Sequence, residues 1–413
     1  MKKIDRKRIL KLGDDLLKHA ELGYKEFKTK EYLVEYFKEL GLKIENECFE
    51  TAFSVSIGSG KPHIGLIAEL DGIPTLGHKY ANKYDNNAAH ACGHSSQCTS
   101  MAGVMSLLKD ESFKGKVTLF FTPAEEYTDI PYRDSLIKNH KIDYIGGKQN
   151  MIMKGLFDDL DVIIHLHAMG KSKYKFSVGS NLAGFVYKKI TFNGKGAHAA
   201  MAPYAGANAL NMYALFNSAM GMLRETYKDK DTIRFHGIVN EGGQTVNSIP
   251  ERVVYECYCR ASNDEGLKDT AKKVDNAAKY CAKALGGTCT IKTRCGYMPL
   301  VQDDKLNEVV HKQMLKIVKK EEIEVNNHSM AAGDLGDISL FKPCIQYGYG
   351  GFNGVPHGKD FMIEDSELVY FDTIKITFNT VMDLLNNPKL VSDIAKNYKP
   401  NMSKKQYADL LNM

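Results

Sequence analysis

Four short, near-continuous apolar runs constrain this chain more than any other feature of it. His63-Ile64-Gly65-Leu66-Ile67-Ala68 ends at Glu69 and Asp71, and Val117-Thr118-Leu119-Phe120-Phe121 leads into Glu125-Glu126. Val162-Ile163-Ile164 ends at His165, and Cys344-Ile345-Gln346-Tyr347 passes through Gly-rich sequence to His357. Each run has strand length but not the in-out alternation of a half-wet strand, so each predicts a strand buried on both faces. Two amphipathic helical patterns precede them, and the runs then alternate with further helices. One carries Ile9, Leu10, Leu12, Leu16 and Leu17; another carries Tyr32, Leu33, Tyr36, Phe37 and Leu40 and stops at Gly41. Strands alternating with helices predict an α/β domain whose sheet is flanked by helices. In such sheets ligands bind outside the carboxyl ends of the strands, where all four runs carry metal-type side chains.

Residues 180–296 follow another pattern. A strand over Phe185–Phe192, a helix over Ala205–Glu225, strands over Thr232–Val239 and Arg252–Arg260, a helix over Gly266–Leu285 and a strand over Thr288–Cys295 follow one another. This β-α-β-β-α-β order is the ferredoxin-like α+β unit. The expected organisation is therefore a catalytic α/β domain in two parts, 1–179 and 297–413, with an inserted ferredoxin-like domain at 180–296.

Composition bounds the function. A chain of 413 residues exceeds one ordinary core. Hydrophobic content of 43% and charged content of 25% are those of a globular protein, and no apolar run reaches the roughly 18 residues of a membrane span. The net charge of +5 is dispersed; the basic start, Met1-Lys2-Lys3 to Arg8, belongs to an amphipathic helix pattern. Neither a nucleic acid nor a membrane is an expected partner. The nine cysteines follow no framework of spacings, and no secretory-type apolar core precedes Ile9-Leu10-Leu12, so a cytoplasmic protein with reduced thiols is expected.

The chemistry concentrates in His90-Ala91-Cys92-Gly93-His94 and the strand ends. Cysteine, histidine and carboxylate are ordinary ligands of divalent transition metals. Cys92 and His94, two apart, cannot share a helix face, but an extended loop could direct each toward a metal. Glu125 and Glu126 repel each other unless a cation is near. Adjacent extended side chains diverge, so one suits a ligand and the other a general base. His165-Leu166-His167 offers two candidates, of which His165 is favoured, although a lone histidine on an apolar run is more often a core residue. Five mixed ligands exceed a single tetrahedral site and fit two ions. Glu125 would then move a proton from the attacking water to a leaving amine, giving hydrolysis of an amide or related acyl bond.

These residues carry a resemblance. His19-Ala20-Glu21-Leu22-Gly23-Tyr24-Lys25-Glu26-Phe27, Ala68-Glu69-Leu70-Asp71-Gly72-Ile73-Pro74, the Cys92 motif, Pro123-Ala124-Glu125-Glu126, Gly194-Lys195-Gly196-Ala197-His198-Ala199-Ala200 and Val246-Asn247-Ser248-Ile249-Pro250 span nearly the whole chain. Together they resemble the metallopeptidase family that includes aminoacylase, hippurate hydrolase, carboxypeptidase G-type enzymes and plant auxin-conjugate hydrolases, in its amidohydrolase branch. The resemblance implies a mixed, zinc-exopeptidase-like sheet. It implies two divalent ions (Zn or Mn, with Co or Ni as alternatives) on Cys92, His94, Glu126, His165 and His357. Glu125 is then the base and Asp71 a tuning residue. The inserted domain would mediate a homodimer, and His198, otherwise a turn residue of a Gly-rich hairpin, would reach a partner subunit's site to bond the substrate carbonyl. Asn247 and Arg260 would contact a substrate carboxylate, against the plainer reading of Arg260 as a sheet-edge charge. The implied substrate is an N-acyl amino acid or small peptide-like amide. A dipeptidase, a carboxypeptidase or a catalytically inactive metal-binding homologue are the alternatives. Two positions depart from the pattern: Glu69 stands where many of the branch carry Asp, and Gly333-Asp334-Leu335-Gly336-Asp337 where many carry Ser-Glu-Asp-Phe. Neither takes a role from it.

Overall fold

The structure, a computed structural model, describes residues 4–412; the basic Met1-Lys2-Lys3 lies outside them. Two units partition the chain. The larger runs to Asn181 and resumes over Val301–His328 and Asp337–Ser403. The smaller comprises Leu182–Leu300, Ser329–Gly336 and the chain from Lys404 onwards.

The larger unit is built on eight strands. Their order across the sheet is Ile44–Cys48, Ala52–Ser59, Gly115–Thr122, His63–Glu69, Val162–Ala168, Cys344–Tyr349, Phe176–Val178 and Ile323–Val325. The four central strands are the four apolar runs. They are mutually parallel, so their carboxyl ends lie side by side. Antiparallel neighbours flank them on both sides, Ala52–Ser59 on one and Phe176–Val178 on the other. The mixed sheet expected from the sequence is therefore observed. His63–Glu69 is buried at every position, as a strand covered on both faces must be.

Helix His94–Leu108 lies against the central strands and is buried at every position but Ser106. A helix buried on every face shows no amphipathic stripe in sequence. Helices Arg6–Lys18 and Thr373–Leu385 pack on it in turn. Arg6–Lys18 buries Ile9, Leu12 and Leu16 and is capped by the Asp5 carboxylate, which accepts the Arg8 N–H.

In the smaller unit four antiparallel strands are ordered Arg234–Glu241, Arg252–Ala261, Gly184–Asn193 and Thr288–Cys295. Helices Ala209–Met222 and Asp264–Ala284 pack on this sheet. Phe192, Phe216, Phe235 and Tyr255 form its aromatic core.

Candidate metal centre

Asp71, just past the His63–Glu69 strand, organises the site. Its fully buried carboxylate accepts the backbone N–H of Glu125 at 3.1 Å through Oδ1 and that of Glu126 at 2.9 Å through Oδ2. One side chain thus holds the Glu125-Glu126 loop at the end of the neighbouring strand. Its backbone carbonyl accepts from His94 Nδ1 at 2.7 Å. A carbonyl only accepts, so Nδ1 carries the proton and Nε2 presents the lone pair.

The Glu125-Glu126 loop is clamped from behind as well. Ala124 sits at φ +56°, a left-handed conformation that costs free energy for a residue with a side chain. Its N–H donates to the buried Glu26 carboxylate at 2.9 Å, and its carbonyl accepts from buried Arg133 at 3.3 Å. Arg133 also donates to the carbonyl of Glu126. On the facing side, Gly93 caps helix His94–Leu108 at φ +83° and brings Cys92 and His94 against the Val162–Ala168 strand. A Cβ at Gly93 would meet that of Ala168 at 2.5 Å.

Among the described residues three triads of ligand-type atoms result, and two of them share Cys92. Cys92, His94 and His167 form one, and Cys92, Glu126 and His357 the other, with the atoms of each triad mutually within 4.8 Å. The Cys92 sulfur belongs to both. His167 Nε2 lies 3.5 Å from Cys92 Sγ, while its Nδ1 donates to the Ala168 carbonyl. His357, half exposed, is tied to the Cys92 loop by its backbone N–H on the Ala91 carbonyl, and its Nε2 lies 3.3 Å from Glu126 Oε1.

This grouping takes in His167 of Val162–Ala168 and not His165. His165, favoured from the sequence, belongs to no triad; it is fully buried, with Nε2 3.3 Å from Glu69 Oε1 and Nδ1 against Gln346. Residues two apart share a face of a strand, so alternation does not separate the pair. Depth does, since His167 stands about 6.6 Å nearer the carboxyl end.

Charge supports a cation here. Burial, and after it the Glu126 carboxylate, push the Cys92 thiol well above its ordinary pKa. Burial opposes charge on Glu126 too, but the neighbouring His357, His94 and Cys92 together outweigh it and hold the carboxyl low. Burial takes His167 down to about 4, leaving a neutral ring suited to ligation. The buried Nε2 of His94 and Oε1 of Glu126 make no hydrogen bond. Lone pairs and a thiol that needs a cation to ionise, converging on one space, fit a divalent metal. Glu125, buried in the same place, stands outside both Cys92 triads, with Oε2 3.8 Å from His94 Nε2.

The remaining predicted residues lie in the smaller unit. His198 Nδ1 accepts the N–H groups of Ala200 and Met201, which puts the neutral ring's proton on Nε2. That Nε2 is 3.3 Å from the Asn247 side-chain amide. Arg260 packs over the rings of Phe185 and Tyr258 and donates to His236 Nε2 and the Met330 carbonyl. It lies on Arg252–Ala261, a strand with neighbours on both sides, so it is not an edge charge. Glu26, Gln97, Arg133, Lys148 and His236 went unselected in the sequence.

Comparison with known proteins gives a consistent result. Residues 65–382 match peptidase family M20/M25/M40. The N-acetyl-L-cysteine deacetylase of Bacillus subtilis is 28% identical over 330 residues, covering 76% of this chain and 74% of that protein. The human Xaa-Arg dipeptidase is 25% identical over 371 residues, covering 84% and 75%. Among solved structures, a dinuclear-metal-binding M20 peptidase of Bacillus subtilis has the same fold, with TM-score 0.71 at 18% identity over 92% of this chain and 98% of that one.

Proposed function

The chain belongs to peptidase family M20/M25/M40, and from that membership we propose a two-metal amidohydrolase cleaving N-acyl amino acids or small peptide-like amides. The observation that carries the proposal is the pair of triads sharing the Cys92 sulfur, with Glu125 beside them and outside both. Cys92, His94, His167, Glu126 and His357 would hold the ions. The mix of thiolate, imidazole and carboxylate suits Zn or Mn. Ions so held supply Lewis-acid polarisation of the scissile carbonyl.

The protein's own groups do the rest. Glu125 takes a proton from the attacking water and delivers it to the leaving nitrogen. Asp71 fixes the backbone of Glu125 and the tautomer of His94. His198, with its proton on Nε2, is a donor for the substrate carbonyl oxygen, and Asn247 lies beside it. Arg260, its ring-backed guanidinium held by two acceptors, is a partner for the substrate carboxylate.

A homodimer through the inserted domain is part of the proposal. Strand Arg234–Glu241 ends the smaller sheet with nearly all of its residues exposed, Ile238 among them at 63%. Helix Ala209–Met222 exposes Leu210, Leu215 and Met222. An open edge and an apolar helix face are features a second copy covers. A cytoplasmic location is supported by cysteines that are all free.

The test is a panel of N-acyl amino acids and Xaa-Arg dipeptides, offered to protein reconstituted with Zn or Mn. Turnover that needs the metal is expected. Metal uptake without turnover of any member overturns the assignment of activity.

A further inference from the structure

A third set of ligand-type residues overlaps the first. Glu69, His94 and Glu125, all buried, offer atoms within 4.8 Å of one another. Two carboxylates and an imidazole out of contact with water demand a cation. His94 has a single lone pair to give, on Nε2, because Nδ1 is bonded to the Asp71 carbonyl. It therefore serves either the set with Cys92 and His167 or the set with Glu69 and Glu125, and not both.

The structure supplies a resident cation on one side of that choice. Lys148, on helix Gly147–Met153, is fully buried and places Nζ 2.7 Å from Glu69 Oε1. Glu69 Oε2 accepts from Gln97 Nε2 at 2.9 Å, and Gln97 Oε1 accepts the Glu69 N–H in return, at 3.3 Å. Both carboxylate oxygens are thus engaged by protein donors. His165 Nε2 is a further neighbour of Oε1, and His94 Nε2 stands 3.1 Å from Oε2.

We propose that Lys148 is a positioning residue that holds Glu69 out of the metal centre, so that His94 joins the thiolate set and Glu125 stays outside the ligands as the base. The inference rests on the two-triad reading above. Ligand softness makes it measurable. A set containing a thiolate favours Zn, whereas two carboxylates with one imidazole favour Mn.

The experiment is competitive titration of metal-stripped protein with Zn and Mn against a chromophoric chelator, with folding followed by circular dichroism. In Lys148→Met the released Glu69 carboxylate captures His94, and the Mn-to-Zn affinity ratio rises by about tenfold or more. The double variant Lys148→Met/Glu69→Gln removes both charges and returns the ratio to that of the unsubstituted chain. Glu69→Gln alone keeps the unsubstituted zinc stoichiometry. A merely structural role for Lys148 changes all affinities together and is not reversed by the second substitution. A folded Lys148→Met protein with an unchanged ratio overturns the proposal. So does loss of a zinc equivalent in Glu69→Gln, which makes Glu69 a ligand and keeps a test available where Lys148→Met does not fold. An unsubstituted chain that takes up no divalent ion overturns the inference and the underlying reading together.

Discussion

At the scale of single residues, adjacent acids are separated by what fixes them. Glu126 is drawn to His357 and Cys92, while Glu125 faces His94 from outside both triads. Replacing Glu125 by Gln keeps the volume and removes the proton acceptor. The expected outcome is a kcat lower by about 10²–10⁴-fold with metal content unchanged, read by steady-state kinetics and elemental analysis on one preparation. The two histidines of Val162–Ala168 make a second test. His167→Ala should lower metal affinity by more than the roughly 10–100-fold typical of losing a supporting residue, and His165→Ala should leave the metal stoichiometry intact. The reverse order of effects would restore His165 to the ligand set. Sequence reading separated ligand-type residues from background wherever they ended an apolar run, as with Glu126, or formed a dense motif, as with Cys92 and His94. It favoured His165, whereas the triads take in His167, because depth along a strand depends on where the neighbouring loops converge. Lys148 was not legible at all: a lysine on a short helix carries no local sign that Glu69, 79 positions away, will bury it.

At the scale of elements, the four central strands were readable because a strand covered on both faces needs continuous apolar sequence. Helix His94–Leu108 was harder to see for the complementary reason: buried nearly all round, it has no polar face to set a period. The central strand His63–Glu69 also carries a pH-sensitive group at its start. His63 is buried, with Nε2 2.8 Å from Thr118 Oγ1. Burial, then Lys116 and Lys61, take it from 6.5 to about 4. The folded state keeps this ring neutral while the unfolded chain protonates it. Its stability contribution is therefore complete above pH 6.5 and is lost as pH falls towards about 4. His63→Gln should flatten that dependence, recovering about 1–2 kcal/mol of the loss between pH 7 and pH 5, as measured from urea unfolding midpoints. An unchanged pH slope in the variant would assign the acid sensitivity to other groups.

At the scale of the whole molecule, the chain returns to the larger unit after Leu300, and two later segments, Ser329–Gly336 and the chain from Lys404, rejoin the smaller one. The inserted β-α-β-β-α-β unit was legible because each of its elements has its own period. The later segments were not, since eight residues or a single short helix carry too little pattern to say what they pack on. The division of labour also sets the most demanding prediction. The triads and Glu125 lie in the larger unit, and His198 and Asn247 in the smaller. If the proposed homodimer places His198 at the partner's site, a chain lacking Glu125 can still lend its histidine, and a chain lacking His198 can still lend its base. His198→Ala and Glu125→Gln proteins should each be nearly inactive alone. Unfolded together and refolded as a 1:1 mixture, half of the dimers are mixed, and each mixed dimer holds one intact site of two. Activity should return to about a quarter of that of the unsubstituted protein. Action of His198 within its own chain predicts no recovery at any mixing ratio, because every chain then lacks either base or donor.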